Sequence, residues 1–225
     1  PGQFTFDGLP PGFSDKRQDG AYRPALSSLN LNWNHVQVTV TDHQKKRAHI
    51  SVFPPSDYLK IMNQTKVRKR VKKPIQIHIK TQKNKDVFKV VGELKRAHKR
   101  TFRRRISDPK HFFAACIRLQ LRHHGIQFKG STVFKRITGQ QQELIRHESA
   151  PYSEVMRAIN TWSNNLSAEA VVLAIAQKSS KSTNFKSGLL SIKDFAQSRL
   201  GWSEFKHTTG SGLFGTTRVS PFQMT

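Results

Sequence analysis

The sequence predicts an α+β protein, mainly helical: a small antiparallel N-terminal sheet, a helical C-terminal lobe, a basic cleft between them and extended terminal arms. Three observations carry this. Early segments alternate apolar and polar residues, the period of half-buried strands. Later segments repeat apolar residues with helical period between start and stop signals. Both ends are rich in Gly, Pro, Ser or Thr with scattered aromatics. The segments are an N-terminal arm (1–30), an N-terminal lobe with a basic region (31–106), a helical C-terminal lobe (107–206) and a C-terminal arm (207–225).

The first arm holds Pro1, Pro10, Pro11 and Pro24 with Phe4, Phe6, Leu9, Phe13 and Tyr22 interspersed. It has few ways to form its own core, so its aromatics are expected to lie on its own domain or on a neighbouring subunit. Strands follow. HVQVTVTD puts Val36, Val38 and Val40 on one face, and RAHISVF repeats the pattern with Ala48, Ile50 and Val52. The short link between them predicts a hairpin. PIQIHIK places Ile75, Ile77 and Ile79 on one face, completing a small antiparallel sheet. The intervening PPSDYLKIM reads as a short helix capped by Ser56.

Helices are expected to dominate the rest. Val90, Val91, Leu94, His98, Thr101 and Phe102 form one stripe, and Lys95, Arg96, Lys99, Arg100, Arg103 and Arg104 form another. That is the pattern of an amphipathic helix with a cationic face. SDPKHFFAACIRLQLRHHG has Asp108 as cap, Pro109 at the first helical position and Gly125 past the end. Its apolar positions, Phe112, Phe113, Cys116, Ile117 and Leu121, make it a core helix. IQFKGSTVFKRITG fits a strand pair or a loop. Three further helices span Ser153 to Trp162, Ser167 to Lys178 and Ser191 to Leu200, the last with a Ser191-x-x-Asp194 capping box and Gly201 at its end. From His207 the chain turns to Gly, Ser and Thr, a second arm.

Charge bounds the function. The 225 residues carry 39 Lys and Arg against 14 Asp and Glu, a net charge of +25. Residues 66–105 hold 17 of these cations and two acids. Such a surplus implies an anionic partner, nucleic acid first and an anionic membrane second. The single cysteine, Cys116, excludes an intrachain disulfide and points to a reducing compartment. No apolar run is long enough for a transmembrane segment, and PGQFTFDGLPPGF lacks the form of a signal peptide.

Catalytic patterns are sparse. GSTVFKRITG and TTGSGLFGTT match no phosphate-binding loop. The ten histidines lack metal-ligand spacing, so no cofactor or metal is expected. The carboxylates, Glu148 and Glu154 among them, are spread out, and Cys116 sits on an apolar helix face. The expectation is therefore not an enzyme, with no small-molecule substrate. Binding remains: Arg and Lys neutralise phosphates, and no base-reading motif is present, so sequence-tolerant binding of single-stranded RNA is the preferred role.

The order of elements resembles the orthobunyavirus (peribunyavirus) nucleoproteins: an aromatic-rich arm with an F-x-D element, the hairpin HVQVTVTD/RAHISV, the strand PIQIHIK, a basic helix, a helical lobe and Leu200-Gly201-Trp202 near the end. The family's FPGNR-type and FFPG-type segments are absent, so the site residues rest on charge and spacing. The resemblance implies two lobes clamping RNA and arms docking on neighbouring copies. One rim of the groove is then Lys66, Arg68, Lys69, Arg70, Lys72 and Lys73. A helix face is Lys95, Arg96, Lys99, Arg100, Arg103 and Arg104, and Lys129, Lys135 and Arg136 close it. Self-association falls to Phe4, Phe6, Phe13, Leu213, Phe214 and Phe222. The location implied is the virion and host cytoplasm. The alternative is a ribosomal RNA-binding protein of cytoplasm or organelle. A matrix-like protein on anionic membranes stands third.

Overall fold

The computed structural model describes residues 8–13, 19–135, 142–143, 146–179, 183–214 and 216–224. They form two compact units. One draws on Asp19–Ala25 and Asn30–Thr132, the other on Pro1–Gln18, Leu26–Leu29 and Val133–Thr225.

The first unit holds β1 (His35–Thr41), β2 (His49–Phe53), β3 (Leu59–Arg68), β4 (Gln76–Gln82), β5 (Lys85–Lys95), β6 (Lys99–Arg105) and α1 (Pro109–His123). The predicted hairpin forms, pairing Val38 with Val52 and Val40 with Ile50. The single small sheet does not. There are two three-stranded sheets, ordered β2-β1-β6 and β3-β5-β4, and β3 runs parallel to β5. Val36, Val38 and Val40 are fully buried and join Phe88, Val90, Leu94, Ile106, Phe112 and Cys116 in the core.

Two expected helices are strands, so the protein is α+β but not mainly helical. Residues 59–62, expected in a short helix, open β3. The stretch read as a cationic helix is β5, a turn and β6, and its cations lie on strands and turns of one unit, not on a helix lining a cleft. The competing physics is local. Val87, Val90, Val91 and Gly92 are weak helix formers, and β5 gains a ladder on each side. Lys83 and Asn84 take left-handed φ of 45° and 59°, the geometry of a two-residue hairpin turn into β5. Ala97, at φ 59°, turns β5 into β6, and its N–H donates to Asp42 Oδ2 at 2.9 Å.

The α1 signals act as read. Asp108 Oδ1 accepts the His111 N–H at 3.1 Å, and Pro109 opens the helix. Buried Tyr58 supports this cap, its hydroxyl accepting the Asp108 N–H at 2.9 Å. Burial pushes the Tyr58 phenol far above its usual range.

The second unit holds α2 (Tyr152–Trp162), α3 (Asn165–Ser179) and α4 (Phe185–Leu200). Leu26, Leu166, Val172, Leu173 and Phe185 form its core. The cap of α4 is Asn184, whose side chain accepts the Ser187 N–H, while Ser191 lies mid-helix and donates its hydroxyl to Ser187 O at 3.1 Å. Gly201 ends α4 in the left-handed region at φ 66°. The two terminal segments meet within the chain: Phe13 is fully buried, and its ring meets that of Phe214 edge-on at 5.8 Å. Among the described residues no helix is long and apolar enough to cross a membrane.

Candidate functional site

A tight polar turn lies where α2 passes into α3. Ser163 ends α2 with φ 51° and ψ 53°, its N–H donating to Ile159 O. A non-glycine residue held in the left-handed region is strained, and such residues gather at functional sites. Asn164 then caps α3: its Oδ1 accepts the Ser167 N–H and its carbonyl the Ala168 N–H, each at 3.0 Å. Asn165 opens the helix.

One turn on, Glu169 occupies a fully buried position in the apolar stripe of α3. A buried carboxylate is tolerated only where hydrogen bonds replace water. Here Oε2 accepts the Gly210 N–H at 3.0 Å, and Oε1 accepts the Ser211 N–H at 2.9 Å and the Ser211 hydroxyl at 2.6 Å. The loop is closed at its base by the Lys206–Arg218 pair, whose reciprocal N–H···O bonds are 2.9 and 2.7 Å. Thr208 Oγ1 braces it by accepting the Thr216 N–H at 2.9 Å.

Gly210 lies so close to α3 that a methyl group there would collide with the Ala168 carbonyl and Val172 Cγ2. Ala168 is three residues past Asn165, about 4.5 Å of helix rise. The Thr209-Gly210-Ser211 strip therefore crosses α3 within one turn of the Ser163-Asn164-Asn165 junction. Thr209 is buried, and its Oγ1 has no hydrogen-bond partner among the described residues, a state that calls for explanation. Burial holds the His207 imidazole below its usual pKa, against the opposing pull of the Glu169 charge and of a hydrogen bond to the Thr209 backbone. Beside the loop, Phe185, Leu189, Lys193, Phe205, His207 and Thr208 line an open pocket of about 370 Å³.

The residues expected to bind RNA lie elsewhere. Lys66 and Arg68 are on β3, and Lys69, Arg70, Lys72 and Lys73 on the loop to β4. Lys95 ends β5, Arg96 is in the following turn, and Lys99, Arg100, Arg103 and Arg104 are on β6. Lys129 and Lys135 are exposed in irregular segments, and Arg136 falls outside the described residues. Of the residues expected at a subunit contact, Phe13 and Phe214 pack on one another within the chain, Leu213 is half-buried and Phe222 is exposed. Phe4 and Phe6 fall outside the described residues. Cys116 stays a core residue, its thiol pushed up by burial. Among the described residues, no three His, Cys, Asp or Glu side chains are grouped to hold a metal ion.

Residues 4–225 match the model of the D-Ala-D-Ala carboxypeptidase 3 (S13) family. The chain belongs to that family. Its fold is similar to the crystal structure of penicillin-binding protein 4 from Haemophilus influenzae, at 20% identity and a TM-score of 0.77, over 99% of this chain and 50% of that one. A structure of the Haemophilus influenzae protein complexed with a β-lactam matches at 23% identity and a TM-score of 0.68, over 88% of this chain and 47% of that one. The chain thus spans about half the length of the solved structures it resembles. No curated protein matches it.

Membership of a carboxypeptidase family overturns the nucleoprotein resemblance and the ribosomal alternative alike. It also overturns the expectations of no enzyme, an RNA partner, no small-molecule substrate, and a virion or host-cytoplasm location. The physical reasons are specific. The resemblance needed a basic helix where β5 and β6 stand. A net charge of +25 describes a surface and says nothing of chemistry carried elsewhere. One cysteine excludes an intrachain disulfide without fixing the compartment.

The residues of this junction and loop are few and lie far apart in the sequence, so no local motif announces them. TTGSG matches no phosphate loop and has the composition of a terminal arm, so it carries no catalytic signal by itself. The usable signal was Glu169, a lone charge inside the apolar run of LSAEAVVLAIA, which asks for buried donors from elsewhere in the chain.

Proposed function

We propose that Ser163-Asn164-Asn165 and Thr209-Gly210 belong to the active site of a serine-type D-Ala-D-Ala carboxypeptidase acting on cell-envelope peptide. Penicillin-binding enzymes combine an S-x-x-K motif, whose Ser is the nucleophile, with S-D-N and K-T-G motifs. This chain keeps the first and third residues of S-D-N, with Asn164 in the middle, and keeps Thr-Gly of K-T-G, with Thr208 in place of the lysine. The observation that carries the reading is the pinning of Gly210 and Ser211 to α3 by Glu169, within a turn of Asn165.

The chemistry follows from the groups. Ser163 is exposed, so its hydroxyl can hydrogen-bond a peptide. Thr208 leaves the third motif without its cation, and Lys193 lines the adjoining pocket. The chain also spells S-x-x-K at Ser107–Lys110 and Ser203–Lys206. The first straddles the α1 cap and the second lies in irregular chain after α4, so the proposal assigns the nucleophile to neither.

The test is D-alanine release from a peptide ending in D-Ala-D-Ala, together with labelling by a fluorescent penicillin, using the purified protein. Ser163→Ala and Asn165→Ala should each lower turnover by about 100-fold or more. A wild-type protein that neither releases D-alanine nor takes the label would overturn the reading.

A further inference from the structure

The charge is distributed unequally. The β-rich unit carries 26 Lys and Arg against six Asp and Glu, +20 of the net +25. Strand register shows where many of them point. In the β3-β5-β4 sheet Met62 pairs with Lys89 and Lys89 with His78, while Lys60 pairs with Val87 and Val87 with Lys80. Lys66 pairs with Glu93, and Arg68 with Lys95. Paired residues share a face, so Lys60, Lys66, Arg68, Lys80, Lys89 and Lys95 stand on one side of the sheet, all exposed.

The loop from β3 to β4 extends this face with Lys69, Arg70, Lys72 and Lys73, and it is anchored. Glu93 Oε2 accepts the Lys72 N–H at 2.7 Å and the Lys73 N–H at 3.3 Å, and the Glu93 N–H donates to Lys73 O at 2.7 Å. Gly92, at φ 102°, lets the Pro74 carbonyl approach closer than any side chain would allow. Glu93, an acid on this face, is thus engaged with loop backbone, and it pairs with Arg68 at 3.9 Å. Two apolar side chains lie among the cations, Val71 at the loop and Met62 on β3, each 42% exposed.

We infer that this sheet face and its loop dock on an anionic phospholipid bilayer. Charge complementarity selects an anionic partner. A sheet face with apolar side chains set between cations suits headgroups and acyl chains together, the cations meeting phosphate and Val71 and Met62 the acyl boundary. Lipid binding is read without turnover, so its failure leaves the peptidase reading intact.

The test is co-sedimentation of the full chain, freed of nucleic acid by nuclease, with vesicles of phosphatidylglycerol and phosphatidylcholine or of phosphatidylcholine alone. Binding is expected only to the anionic vesicles. Each Lys or Arg at such a surface is worth roughly fivefold in partitioning, so the variant Lys69→Gln/Arg70→Gln/Lys72→Gln/Lys73→Gln should bind at least about 100-fold more weakly. Lys178→Gln/Lys186→Gln/Lys193→Gln/Arg199→Gln, in the other unit, should bind as wild type, and circular dichroism confirms that both fold. Equal loss in both variants, binding to neutral vesicles, or indifference to vesicles alongside binding to a soluble anionic polymer would each overturn the inference.

Discussion

Glu169 and Ser211, separated by 42 residues, are joined by two hydrogen bonds to the same carboxylate oxygen, one from the Ser211 N–H at 2.9 Å and one from its hydroxyl at 2.6 Å. With Gly210 bound to the other oxygen, a single buried side chain fixes the course of the Thr209–Ser211 strip over α3. Replacing it by Glu169→Gln preserves shape but sets an amide N–H against donors that need an acceptor. A stability loss of about 2–3 kcal/mol is expected in urea denaturation, with faster proteolysis near 207–214. A variant as stable and as protease-resistant as wild type would show that these bonds do not hold the loop.

Two glycines permit the close packing of this unit. A side chain at Gly188 of α4 would meet the Val172 carbonyl, and one at Gly210 the Ala168 carbonyl. Both obstacles are backbone, which cannot rotate away. Gly188→Ala and Gly210→Ala should each lower stability by about 1–3 kcal/mol, visible as a reduced melting temperature. Gly125→Ala, with open space around its Cα, isolates the cost of a positive φ (79°) from that of collision.

The pH dependence of stability should carry the mark of His207. Burial lowers its folded pKa below the ordinary 6.5. Between those values the unfolded chain binds more protons, so stability is full above 6.5 and declines as pH falls toward the lowered folded value. His35, also lowered by burial and by Arg103, contributes with the same sign. The urea midpoint should fall over this window, and His207→Gln should flatten part of the decline. An unchanged profile in that variant would assign the dependence to His35.

Much of the β-rich unit was legible where a pattern is local. Val36, Val38 and Val40 alternate, and Asp108-Pro109 with Gly125 bracket α1, because strands and capped helices write their period into neighbouring residues. The stretch 90–104 is a strand pair and not a helix because its apolar residues satisfy both patterns, and the choice is made by partners on β1, β3 and β4. The site was nearly illegible for a stronger reason. Ser163 and Gly210 carry no common period, and only the fold of α3 brings their segments together. Charge, the loudest feature of the sequence, drew attention to residues 66–105, a different unit from the one that holds the proposed site.

The unit that holds the proposed site is assembled from three separate stretches of chain, with the β-rich unit made between them. This has a consequence for biosynthesis. Leu26 is translated before both sheets and α1, and its core partners Leu166, Val172, Leu173 and Phe185 only after them. The six strands can settle on the nascent polypeptide while that leucine still waits in water, so this core closes only once α3 and α4 have been made.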